Sequence, residues 1–184
     1  PFLQHVFAAG NSGALSCPPY PPGYKTVLGS YQAAKNVLTV GATDSMGNNT
    51  PGTSRGPVKD GRIKPEIVSM GRQVVSTGFG SYYTNSGTSM ASPAVTGGLA
   101  LLYQSYKQKH SGNNPKNGLM KAIVCNSGHD MGNSGPDFSY GFGWLDLDRA
   151  IITIENNRYM ASTIAGGIQN THSIAVPANA AQLK

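Results

Sequence analysis

Charge is scarce in this sequence: only 12% of its 184 residues are Asp, Glu, Lys or Arg, and the first acidic residue is Asp44. Basic residues outnumber acidic ones, 14 to 8, for a net charge of +6. Such a balance raises nucleic-acid binding as a function. Here, however, Lys25, Lys35, Arg55, Lys59, Arg62, Lys64 and Arg72 stand singly and build no patch. The one cluster, at 107–109, falls at the end of a predicted helix, where cations suit the negative end of the dipole. Nucleic acid is therefore not expected as a partner.

Cysteine is also sparse. Cys17 and Cys125 are the only two, too few for a disulfide framework and without Cys/His metal-ligand spacing. Cys125 sits in an apolar helical pattern and reads as a buried thiol. Cys17 lies in a Pro-rich loop, open to pairing with Cys125 or with a cysteine outside this sequence. No apolar run approaches the roughly 20 residues that span a bilayer, so no membrane association is expected. Residues 1–7 carry neither a basic region nor a cleavage site of a signal peptide. The text opens directly on a strand, which leads us to expect a preceding portion of the same domain.

Glycine and proline, by contrast, are abundant, 24 and 12 residues, and punctuate short apolar runs. Strands are predicted at 4–9, 37–40, 66–69 and 73–76, with a hairpin through Phe79-Gly80 into 82–85. Val95, Leu99, Leu102 and Tyr106 recur at i, i+4, i+7 and i+11, which predicts one buried helix face over 88–109. Within it, Ala91, Ala94, Gly97 and Gly98 suggest close backbone packing. Further helices are expected at 117–125 and 145–153. Buried strands alternating with helices argue for an α/β fold with a mostly parallel sheet. After about residue 155 the character changes. Ser173–Pro177 alternates like a strand, so 1–154 is read as one domain and 155–184 as a linker plus the first strand of an incomplete β-rich module.

The chemistry concentrates in Gly87-Thr88-Ser89-Met90-Ala91-Ser92-Pro93. A serine at a helix start has a backbone N–H with no intrahelical acceptor, at the end of the helix that favours anions. Ser89 can therefore offer both an attacking hydroxyl and a donor to the oxyanion that attack creates. Pro93 lacks the N–H that would otherwise bond the Ser89 carbonyl. On spacing alone, Thr88 or Ser89 reads equally as a helix N-cap, and Asn11-Ser12-Gly13 as an ordinary turn.

The seven residues 87–93 resemble the nucleophile motif of the subtilisin-like serine proteases. Phe7-Ala8-Ala9-Gly10-Asn11-Ser12-Gly13 resembles the family's oxyanion-hole strand and turn. Ala34–Ala42, Ser54–Pro57 with Asp60–Ile67, and Tyr140-Gly141-Phe142-Gly143-Trp144-Leu145-Asp146 are similar to further family segments, in the same order. The resemblance covers roughly residues 1–152. It implies a three-layer αβα sandwich, here incomplete, and a secreted serine endopeptidase acting on polypeptide. Ser89 would be the nucleophile and Asn11 the side-chain oxyanion donor. Thr88 would add a further polar contact, and Gly10 would line the pocket for the residue preceding the cut.

The family's Asp-Thr-Gly and His-Gly-Thr motifs do not occur here, and the only histidine before Ser89 is His5. The resemblance therefore implies that the triad Asp and His lie upstream, in a missing N-terminal part of the same catalytic domain. The alternative is a catalytically inactive relative used for binding or as a scaffold. An esterase elbow, Gly-x-Ser-x-Gly, is excluded by Ala91 at its last position. Calcium often accompanies the family. The loops at 44–49 and 130–137 supply oxygens but lack EF-hand spacing, so turn chemistry is the preferred reading and no metal or other cofactor is assigned.

Overall fold

The computed structural model describes residues 2–29, 31–176 and 178. Its centre is a parallel sheet of β1 (Val6–Ala8), β2 (Leu38–Thr43) and β3 (Ile67–Met70), in spatial order β1-β2-β3. An antiparallel hairpin follows, β4 (Val74–Gly78) and β5 (Ser81–Asn85), then helices α1 (Thr88–Lys109), α2 (Asn117–Ser127) and α3 (Leu147–Glu155). Because side chains alternate along a strand, Leu38, Val40 and Ala42 face the helices, where they join Val95, Leu99, Leu102, Met120, Val124 and Ile154 in the main core. Burying each of those larger aliphatic side chains contributes about 1.5–3 kcal/mol.

On the opposite face, loops take the place of helices. Thr39 donates to the Gln32 carbonyl, Thr53 accepts from Ala42 N–H, and Ala9 packs with Val27 and Val58. The α/β class and the parallel sheet are as expected; the described residues furnish one helical layer of the sandwich.

Helix α1 has the predicted bounds and the predicted buried face. Ala94 and Gly97, expected at the close contact, are exposed. Gly98 makes it, since a Cβ there would fall 2.7 Å from a methyl of Leu147 on α3, and so does the fully buried Ala91, which lies 3.1 Å from where a Cβ of Gly71 would be. Strand β2 runs on to Thr43 although Gly41 reads as a terminator. Gly41 is bare because Pro65 and Val68 lie against it, each 3.0 Å from where its Cβ would be. The expected strand at 173–177 is not present in the described residues 173–176, which are exposed and pair with nothing; Pro177 lies outside the described residues. Alternation alone cannot make a strand that has no neighbour to bond.

The two cysteines are not bonded to each other. Cys125 is buried, and burial pushes its thiol up to about 12. At pH 8 only about one in 10⁴ molecules then holds the reactive thiolate. Native alkylation followed by peptide mapping should modify Cys17 and spare Cys125 until the chain unfolds. Equal labelling of both would contradict this packing.

Candidate active site

Parallel pairing brings the end of β1 and the start of α1 together. Beyond β1, Gly10 turns the chain with φ +106°, a conformation that favours glycine. Its carbonyl accepts from Ser54 N–H at 2.9 Å, and Ser54 Oγ accepts from Ser12 N–H at 3.0 Å. The turn that carries Asn11 is thus clamped on both sides by one serine.

Helix α1 starts from Gly87 (φ 146°), not from a Ser or Thr cap; Thr88 and Ser89 are its first two residues. The cap comes from elsewhere. Asn11 Oδ1 accepts from both the Thr88 N–H and the Thr88 hydroxyl, each at 3.1 Å. A backbone N–H can only donate, so the Asn11 atom facing it must be the oxygen. Its Nδ2 therefore points the other way and meets no acceptor among the described residues. Space beside the amide is kept open by Gly87, where a Cβ would fall 3.2 Å from Asn11 Nδ2.

Thr88 lies behind the Asn11 amide. Its hydroxyl accepts from Gly10 N–H at 3.2 Å and spends its proton on Asn11. It holds the amide in this orientation. This link joins the two motifs of the sequence directly, and spacing alone gives no sign of it. Ser89 is exposed, and its hydroxyl makes no hydrogen bond among the described residues. As the second helical residue it also keeps its N–H free of an intrahelical acceptor. The helix start itself is pinned, with Gly87 N–H donating to the Gly71 carbonyl at 2.7 Å. A Cβ at Gly71 would fall 2.6 Å from the Gly87 carbonyl oxygen.

None of the four histidines is placed as a base for Ser89. His5 is exposed just before β1. His110 caps the far end of α1, about 30 Å away along the axis. Its Nδ1 lies 2.9 Å from the Tyr106 carbonyl and its Nε2 lies 2.8 Å from the Tyr159 hydroxyl, so both ring nitrogens are engaged. His129 is tied by its backbone to Trp144, and His172 lies in the exposed tail.

With this geometry in view, the comparisons with known proteins decide the family. The model of the subtilase family (Peptidase_S8) matches residues 3–143. The chain belongs to the subtilase family. Subtilisin DY of Bacillus licheniformis is 32% identical over 146 residues, which covers 79% of this chain and 45% of that protein. The membrane-bound transcription factor site-1 protease of Homo sapiens is 34% identical over 164 residues, 85% of this chain and 14% of that one. Among solved structures, the Clostridium perfringens CspB protease superposes with a TM-score of 0.67 at 29% identity, over 75% of this chain and 31% of that chain. This subtilase chain thus spans less than half the length of each of these three relatives.

The calcium that the family suggests does not suit the two oxygen-rich loops. Asp44 Oδ1 accepts from Met46 and Asn48 N–H, both at 2.9 Å. Asp137 accepts from Asn133, Ser139 and Tyr140 N–H. These carboxylates face N–H donors of their own turns, and neither loop is arranged as a cage for a hard cation.

Proposed function

We propose that this chain carries the nucleophile and the oxyanion hole of a serine endopeptidase. The observation that carries the reading is the pinned Asn11 amide, whose Nδ2 is turned outward beside the start of α1. In this account Ser89 Oγ attacks the scissile carbonyl carbon and its proton passes to a histidine base. The carbonyl oxygen becomes an oxyanion held by Asn11 Nδ2 and Ser89 N–H. Return of the proton to the leaving amine releases one product and leaves an acyl-enzyme on Ser89, which water then hydrolyses.

The histidine and its aspartate would come from a part of the same catalytic domain outside this sequence, in keeping with the 45% of subtilisin DY that the chain spans. Residues 1–154 would then be the C-terminal part of the catalytic domain, and 155–184 a connection to whatever follows. The family also points to polypeptide substrates and to export from the cell.

The test uses the full-length protein. A fluorophosphonate probe should label Ser89, and Asn11→Gly should lower kcat by about 10²–10³ with little change in KM, a magnitude carried over from subtilisin. Absence of labelling in the folded full-length protein would favour an inactive binding or scaffold domain.

A further inference from the structure

Arg55 stands out on the loop face of the sheet. Among the described residues its Nε is the only buried side-chain nitrogen without a hydrogen-bond acceptor. Among the described residues no carboxylate lies within ion-pair distance of it. Asp60 is taken by Arg62, Glu66 by Lys64 and Lys121, and Asp146 by Arg149. The guanidinium lies over the Tyr24 ring, 5.3 Å from Cζ to the centroid, within reach of a cation–π contact. Its backbone is fixed as well, since Arg55 N–H donates to Thr26 Oγ1 at 3.0 Å and its carbonyl accepts from Thr26 N–H at 2.8 Å. A half-buried guanidinium so positioned, with donors unspent, is costly unless something anionic meets it.

Its surroundings say what that anion belongs to. Arg55 follows Ser54, the residue that clamps Gly10 and Ser12 on either side of Asn11. A Cβ at Gly23 would fall 3.2 Å from Arg55 Cζ and 2.8 Å from the Gly13 carbonyl oxygen, so the guanidinium and the Asn11 turn flank the same bare glycine. We propose that Arg55 receives a carboxylate side chain of the polypeptide substrate at the residue preceding the cut, so that the site selects Glu or Asp there. The proposal rests on Asn11 and Ser89 being the oxyanion donor and nucleophile. A planar fork suits a carboxylate through paired N–H donors, and the uncharged amide of Gln offers it only one weaker acceptor.

The experiment takes the full-length protein with Ser89→Ala, which binds without cutting, and blocked hexapeptides of alanine with Glu or Gln at the fourth position. The Glu peptide should bind about 10- to 100-fold more tightly than the Gln peptide. Arg55→Gln should erase that ratio and Arg55→Lys should keep part of it. Equal binding of the two peptides, or a ratio that survives Arg55→Gln, would overturn the proposal. Equal binding is also the outcome expected if a carboxylate from another part of the protein already occupies Arg55. Should Arg55→Gln fail to fold, the ¹⁵N signal of Arg55 Nε–H carries the test, shifting with the Glu peptide and staying put with the Gln peptide. Fluorophosphonate labelling of the unmutated protein separates the two readings. Labelling without acid preference sinks the specificity alone; absence of labelling sinks the protease reading and with it the subsite, and any acid preference that remains then shows only that Arg55 binds a carboxylate.

Discussion

Replacing Ser89 with alanine in the full-length protein is expected to lower turnover of a peptide substrate by about 10⁶, the size carried over from subtilisin, and to leave stability unchanged. The two halves of this expectation have separate causes. Under the proposed function, chemistry would depend on the hydroxyl because no other described side chain at the start of α1 is exposed with an unspent hydroxyl; Thr88 beside it is buried and bonded to Asn11. Stability does not depend on it, since Ser89 is exposed and its hydroxyl bonds nothing among the described residues. Surface changes of that kind fall within about 0.5 kcal/mol. A capping serine would behave otherwise, losing about 1 kcal/mol on conversion to alanine. Peptide turnover and denaturant unfolding on the same two proteins give the answer. Proteolysis within tenfold of the unmutated protein would remove Ser89 from the mechanism.

The second large effect is on folding. Glu66 is buried between two cations: Lys64, which is fully buried, and Lys121 from α2. Its second oxygen accepts from Thr39 N–H at 2.8 Å, and Lys64 Nζ also donates to Thr39 Oγ1 at 3.0 Å. Glu66→Ala would strand an ammonium in the interior and leave a β2 N–H unpaired, for a loss of about 3–5 kcal/mol. Lys64→Met in the same protein should recover much of that loss, because it removes the stranded charge along with its partner.

The pH response follows from Lys64. Burial is the largest influence and holds its ammonium below the ordinary value of 10.5, with Glu66 pulling it partly back. Between the lowered folded value and 10.5 the unfolded chain binds more protons, so this group's contribution to stability rises with pH across that window. Removing Glu66 should extend the window downward. Urea unfolding from pH 7 to 10 checks both the loss and the slope, and a loss under 1 kcal/mol would show that the triad carries little.

Legibility in the sequence varied with how local each cause is. Helix α1 could be placed to the residue because Val95, Leu99 and Leu102 repeat with the period of the helix itself. The hairpin could be placed because Gly80 supplies the positive φ its turn requires. The end of β2 was misread, since the reason for Gly41 lies in Pro65 and Val68, far along the chain. Asn11 and Ser89 are singled out together by resemblance, and the structure adds a link from Asn11 to Thr88, the neighbour of Ser89. Thr88 could not be assigned its part from spacing, because its partners Gly10 and Asn11 are contributed by another motif. Lys64 reads as one more single charge, and although Glu66 opens a predicted strand, nothing local signals that it is buried between Lys64 and Lys121 of α2. The strand expected after residue 173 had the right alternation and lacked a partner.

One hydrogen bond, from Thr88 N–H to Asn11, joins residues 77 positions apart. Closing a loop of that length costs entropy that nothing along the way repays until β1, β2 and β3 are paired. The amide is therefore held against Thr88 only once the sheet is paired and α1 lies on it. The oxyanion hole of the proposed protease would then exist only in the packed domain, and not in a chain that has formed α1 alone. The appearance of probe labelling at Ser89 during refolding would then time the arrival of the whole domain.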